Sequence, residues 1–142
     1  MEKTIIIYWS GTGNTETMAE KILAGLNSDK AIAKMVPVFE ISAKEAHSYD
    51  KIILGCPAMG LEQLEAEEFE PFFEELETML TNKKVALFGS YGWGGGEWMT
   101  AWEKRVKDSG AILFEKSLTI ASTPSSEEEN DCIAFGESLK TF

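Results

Sequence analysis

Five apolar residues run straight into a loop of small ones: Ile5-Ile6-Ile7-Tyr8-Trp9, then Ser10-Gly11-Thr12-Gly13-Asn14-Thr15. The stretch from Thr4 to Trp9 is β-branched and aromatic, with no polar alternation. That predicts a strand buried on both faces, hence a parallel sheet covered by helices. Helical spacing follows from Thr17 to Leu26, with Met18, Ile22 and Leu26 on one stripe. A strand that turns through such a loop into a helix leaves free backbone N–H groups at the helix start, which favour an anion. Ser10, Thr12 and Thr15 add hydroxyls and Asn14 an amide. The lysine of a Walker loop is missing, and Glu16 stands where a dinucleotide G-x-G-x-x-G pattern needs glycine. A cradle without a fixed cation suits a single terminal phosphate better than a triphosphate with magnesium.

Strand and helix patterns alternate along all 142 residues, which form one domain over 1–142. A second strand falls within Ala33 to Phe39, where Pro37 argues for an edge position. Ser42 to Tyr49 reads as a short polar connector. Lys51 to Cys56 is a third strand, and Lys84 to Phe88 a fourth. Glu67 to Leu80 reads as a helix with Phe69, Phe72, Phe73 and Leu76 inward and Pro71 in its first turn. Ser90 to Gly96 reads as a glycine-rich loop, and Glu97 to Lys107 as a helix stopped by Gly110. Ala111 to Phe114 and Leu118 to Ala121 are strand-like. Ser125 and Glu128 have capping-box spacing at the start of a last helix. Sites in such sheets lie beyond the carboxyl ends of the strands. The loops around Gly11, Gly60 and Gly92 are therefore expected to converge although they lie far apart in sequence.

Charge narrows the partners. There are 24 acidic and 13 basic residues, a net charge of -11. Nucleic acid and anionic membranes are disfavoured, and a protein with a basic docking surface is favoured. Cys56 and Cys132 match no metal or disulfide pattern. With no signal-peptide pattern and no apolar run of spanning length, the expected setting is the cytoplasm. His47, the only histidine, falls in the polar connector and reads as a surface residue. Eight glutamates between Glu62 and Glu77 read as a solvated helix face. No Ser-His-Asp arrangement can be argued. A bound group that does its own chemistry fits better than side-chain acid–base catalysis. A planar ring could lie between Met59 and Trp93, sulfur on one side and indole on the other.

Three motifs carry a resemblance that runs over nearly the whole chain. They are Tyr8-Trp9-Ser10-Gly11-Thr12-Gly13-Asn14-Thr15-Glu16, Leu54-Gly55-Cys56-Pro57-Ala58-Met59-Gly60 and Ala86-Leu87-Phe88-Gly89-Ser90-Tyr91-Gly92-Trp93-Gly94. With them the chain resembles a short-chain bacterial flavodoxin of the clostridial and anaerobe type. The resemblance implies a flavodoxin-like α/β three-layer sandwich. Its parallel sheet would have five strands in the order 2-1-3-4-5, an order known for the family rather than read from the pattern. It implies one non-covalent flavin mononucleotide (FMN) and electron transport between redox proteins, mainly on the semiquinone/hydroquinone couple, by a monomer that is not an enzyme.

Carried over by position, the phosphate would meet Ser10, Thr12, Gly13, Asn14 and Thr15. Pro57, Ala58 and Ser90 would line the ribityl and phosphate side. Met59 and Trp93 would flank the ring, and Gly60, Leu61 and Glu62 would edge it. Tyr91, Gly92 and Gly94 would complete the other side, with Ser122 a further contact. A small flavin or quinone reductase on the same fold would need a substrate pocket over the ring, and no long insertion supplies one. A phosphoacceptor domain would need clustered aspartates at the first strand end, which the chain lacks.

Overall fold

The computed structural model describes residues 2–28, 32–60, 62–92 and 94–142. Its elements are β1 (Thr4–Tyr8), α1 (Asn14–Leu26), β2 (Ala33–Pro37), α2 (Ala43–His47), β3 (Lys51–Gly55), α3 (Phe69–Leu76), β4 (Lys84–Tyr91), α4 (Glu97–Asp108), β5 (Ile112–Leu113), β6 (Leu118–Ala121) and α5 (Ser126–Leu139). All strand pairs are parallel, in the order β2-β1-β3-β4-β5, with β6 also on β4. This is the expected 2-1-3-4-5 sheet, its fifth position filled by two segments. From Val85 to Phe88 on β4 is three steps, whereas their partners Leu113 and Leu118 are five apart. The two extra residues leave the ladder between β5 and β6. There Phe114 packs against Phe135 and Phe142, and Ser117 donates to Glu103 at 2.6 Å.

The central strands have no polar face because both sides are covered. Side chains alternate across a strand. Ile5, Ile7, Ile52, Leu54, Val85 and Leu87 enter one core with Phe69, Phe73, Trp98 and Trp102 from α3 and α4. Ile6, Tyr8, Ile53, Ala86 and Phe88 enter the other with Met18, Ile22, Cys132, Phe135 and Leu139 from α1 and α5. Pro37 ends the edge strand β2, where its missing N–H costs no ladder bond.

Three local features differ from the sequence reading. α1 begins at Asn14, not Thr17, because Gly13 takes φ 97° and turns the chain into the helix early. The connector from Ser42 holds the helix α2. Ser42 and Glu45 close a capping box there, and Ala43 and Ala46 are buried. β4 runs on to Tyr91, because β6 pairs with Phe88 through Tyr91. Only from Gly92 does the third glycine-bearing segment leave the sheet.

Two polar clasps tie the layers. Arg105 of α4 holds Glu70 with two bonds of 2.8 Å and Glu77 with bonds of 2.9 and 3.3 Å, and lies over the Phe73 ring. At the amino ends of the strands, fully buried Lys51 donates to the Leu139 carbonyl and pairs with Glu2 at 3.1 Å. Lys84 pairs with Glu2 at 3.0 Å and donates to the Phe142 carbonyl at 2.9 Å. Arg105→Lys is expected to lower stability by about 1 kcal/mol, since an ammonium cannot fork onto two carboxylates and the pair is only half buried. An unchanged urea midpoint would assign the clasp no net stabilisation.

Candidate functional site

The site is built where β1, β3 and β4 end. Beyond β1 the chain stays in register for one more residue, Trp9 N donating to the Gly55 carbonyl at 3.0 Å. It then turns around one side chain. Ser10 Oγ accepts from Gly13 N at 3.1 Å and from Glu16 N at 3.2 Å. The hydroxyl therefore organises the loop and still has its own O–H to donate. The Trp9 ring lies over Gly11, where a Cβ would stand 2.9 Å from the indole. Thr15, 1% exposed, shares a hydrogen bond of 3.0 Å with the buried Ser90 hydroxyl. That bond fastens the first turn of α1 to the end of β4.

The second loop leaves β3 with Cys56 and Ala58 still donating to the carbonyls of Phe88 and Ser90. Met59 and Gln63 then exchange two backbone bonds of 2.7 and 2.9 Å, closing a tight loop. Gly60 and Glu62 have φ of 54° and 58°. Glu62 turns toward α4, its Oε2 accepting from Trp98 N at 2.9 Å. Its Oε1 is buried without a hydrogen-bond partner among the described residues. A Cβ at Gly94 would collide with that oxygen. Below the loop Glu65, 6% exposed, accepts from the backbone N–H of Glu67, Glu68 and Phe69 at 2.9, 2.8 and 2.8 Å. Burial alone would raise the Glu65 pKa. The three N–H donors outweigh it and hold the carboxyl below its ordinary value of 4.5. Cys56 is fully buried, and that burial pushes its thiol up.

These segments enclose a cleft of about 290 Å³. The first loop contributes Trp9, Gly11, Thr12 and Asn14 to its lining, the second Pro57, Ala58 and Met59, and the third Ser90, Tyr91 and Gly92. Ser122 joins them, with φ 58° and its N–H donating to the Tyr91 carbonyl at 2.7 Å. Of the residues expected from sequence, Ser10, Gly13 and Thr15 are not in the lining of the cleft: Ser10 holds the loop through Gly13 N, and Thr15 is buried against Ser90. Gly60 is exposed on its rim, and Glu62 and Gly94 meet beside the start of α4. Leu61 and Trp93 lie outside the described residues. Trp9 and Gly11 line the cleft although they are not among the contacts expected from sequence. Their signal is their position between the strand end and the hydroxyl loop. Among the described residues no lysine, arginine or histidine lines the cleft.

A neutral crevice between β1 and β3, with a helix amino terminus on one side and a slot beside a methionine on the other, is the site of an α/β domain that binds a nucleotide cofactor. The family model described as Flavodoxin matches residues 6–136, and the chain belongs to the flavodoxin family. A flavodoxin of Clostridium beijerinckii is 48% identical over 134 residues, covering 94% of this chain and 96% of that one. One of Megasphaera elsdenii is 50% identical over 113 residues, covering 80% and 82%. The solution structure of two-electron reduced Megasphaera elsdenii flavodoxin superposes with a TM-score of 0.87 at 44% identity, over 98% of this chain and 99% of that one. Flavodoxins carry electrons on bound FMN, and that general activity comes with the membership.

The residues present fit this group. The hydroxyl loop is neutral and retains the Ser10 O–H for a phosphate. At Gly60 and Gly92, on the open rim, a Cβ would meet nothing within 4 Å, so a ring edge can approach the backbone there.

Proposed function

We propose that the cleft binds one FMN without a covalent link and that the chain shuttles single electrons between redox proteins at low potential. The observation that carries this reading is the meeting of three distant loops around one neutral cleft. Ser10, Thr12, Gly13, Asn14 and Thr15 would hold the phosphate, and Pro57, Ala58, Ser90 and Ser122 the chain that joins it to the ring. Met59 and Trp93 would flank the ring. Gly60, Leu61 and Glu62 would edge it on one side and Tyr91, Gly92 and Gly94 on the other. When bound, FMN supplies reversible one- and two-electron chemistry. The protein supplies the field around it. With no lysine, arginine or histidine among the described residues of the cleft, the phosphate keeps its full charge, and the surrounding carboxylates add to it. Further negative charge on the ring is thereby opposed, which favours work on the lower of the two one-electron couples.

Such a carrier acts as a cytoplasmic monomer on partners with basic docking surfaces, and not as an enzyme. Titrating the cofactor-free chain with FMN and with riboflavin tests the reading, followed by visible spectra during stepwise reduction. One equivalent of FMN bound more tightly than riboflavin, with half-reduced flavin accumulating, is the expected result. Failure to take up FMN, or steady oxidation of a nicotinamide cofactor by the isolated protein, would overturn it.

A further inference from the structure

Beside the cofactor cleft, on the far side of Trp9, lies a second groove of about 440 Å³. It occupies the crevice between the ends of β1 and β2. Its apolar wall is Trp9, Pro37 and Phe39, and Phe39 is 69% exposed, so its ring is open to an incoming side chain. Its polar rim is Glu16, Glu40 and Glu68. Among the described residues no lysine, arginine or histidine lines it. Two of the carboxylates are held in place: Glu16 accepts from the Tyr8 hydroxyl at 3.1 Å, and Glu68 accepts from Trp9 Nε1 at 2.9 Å. Each keeps lone pairs for a further donor.

We propose that this groove is where a basic redox protein docks, by laying a lysine or arginine side chain along it. The aliphatic stem covers Phe39 and Trp9, and the cationic head meets Glu40 and Glu68. Such a side chain matches the groove in both halves, an apolar stem with a charged end, and a cation over an exposed ring adds attraction. An apolar occupant would strip water from three carboxylates with nothing to replace it. A second copy of this chain, also at -11, is repelled. Beside the groove, burial first and then Glu16, Glu20 and Glu40 push the Tyr8 phenol up to about 12. Trp9 lines both the groove and the cleft, so a partner seated here stands one indole ring from the cofactor site.

The electron-transfer purpose rests on the proposed function, but the docking itself does not require bound flavin. Amide and indole NMR shifts of the isotopically labelled chain, FMN-loaded and FMN-free, can be followed at low salt while cytochrome c, a lysine-rich haem protein, is added as probe. Shifts centred on Trp9, Phe39 and Glu40 are expected in both forms. The variant carrying Phe39→Ser and Glu40→Gln should bind roughly tenfold more weakly, with FMN uptake unchanged. Shifts confined to residues 58–62 and 91–94, or equal affinity in the variant, would overturn the proposal. Should the chain take up no FMN at all, the proposed function fails while the FMN-free titration still decides the groove.

Discussion

Replacing Gly136 with alanine is expected to destabilise the chain by about 2 kcal/mol, although alanine is the better helix former. α1 and α5 touch along their backbones. A Cβ at Gly136 would collide with the Ile22 carbonyl, and one at Gly25 with the Ile133 carbonyl. Relieving either collision requires the helices to separate, and forced overpacking of this kind costs about 3 kcal/mol. The propensity gain of glycine to alanine in a helix returns only about 1 kcal/mol. The carbonyls cannot step aside as a flexible side chain would, since each is part of a helix. The effect should reach the site as well, because α1 carries Asn14 and Thr15 in its first turn and Thr15 bonds to Ser90. Urea denaturation of the cofactor-free chain gives the first number and FMN titration the second. A midpoint within error of the parent would mean that the two helices are not so closely packed.

Glu65→Gln should cost about 2 kcal/mol at neutral pH. Both oxygens of Glu65 accept, Oε1 from Glu68 and Phe69 and Oε2 from Glu67. A glutamine keeps one acceptor and turns its NH₂ toward a donor that needs an oxygen. Hydrogen bonds to a charged, buried group are each worth more than neutral ones. The pH dependence follows from the direction of the shift. The folded-state pKa is depressed below 4.5, so the charged carboxylate stabilises the fold above that value. Its contribution is lost as pH falls through the depressed folded-state value. Parent and variant should thus differ most at neutrality and converge as the solution is acidified. A gap that stays constant down the pH series would show that the carboxylate charge is not what holds the loop.

What can be read in the sequence and what cannot divide along one line, between local pattern and distant contact. The unbroken apolar run of β1 implies two cores, and Ile5 and Ile6 do enter opposite ones. The capping box at Ser125 is legible because an apolar period follows it. The same spacing at Ser42 has no such support, since a five-residue helix inward only at Ala43 and Ala46 shows no period. Gly89-Ser90-Tyr91 looks like loop, and it is strand only because β6 arrives to pair with it. Glu62 and Glu65 sit among eight glutamates that look alike. One caps a helix 36 residues away and the other is buried under three N–H groups. No local signal separates them from their solvated neighbours. Gly25 and Gly136 are likewise inconspicuous until the two helices are laid together.

The lysine clasp at the amino ends of the strands has a consequence beyond stability. Lys3, Lys51, Lys83 and Lys84 all stand at that end, bonded to Asp50, Leu139, Tyr49 and Glu2 respectively, Lys3 through its backbone N–H. The opposite end presents Glu16, Glu40, Glu62 and Glu68 around the cleft and its neighbouring groove. The lysines named here thus gather at one end of the strands, two of them offset by Glu2, while the carboxylates named here gather at the other, a separation of charge along the strands. Approaching a positive protein, the chain would experience a torque as well as an attraction. Toward a basic partner of the kind proposed above, such a separation would turn the chain cleft-first before any surfaces touch, shortening the rotational search as well as raising encounter frequency.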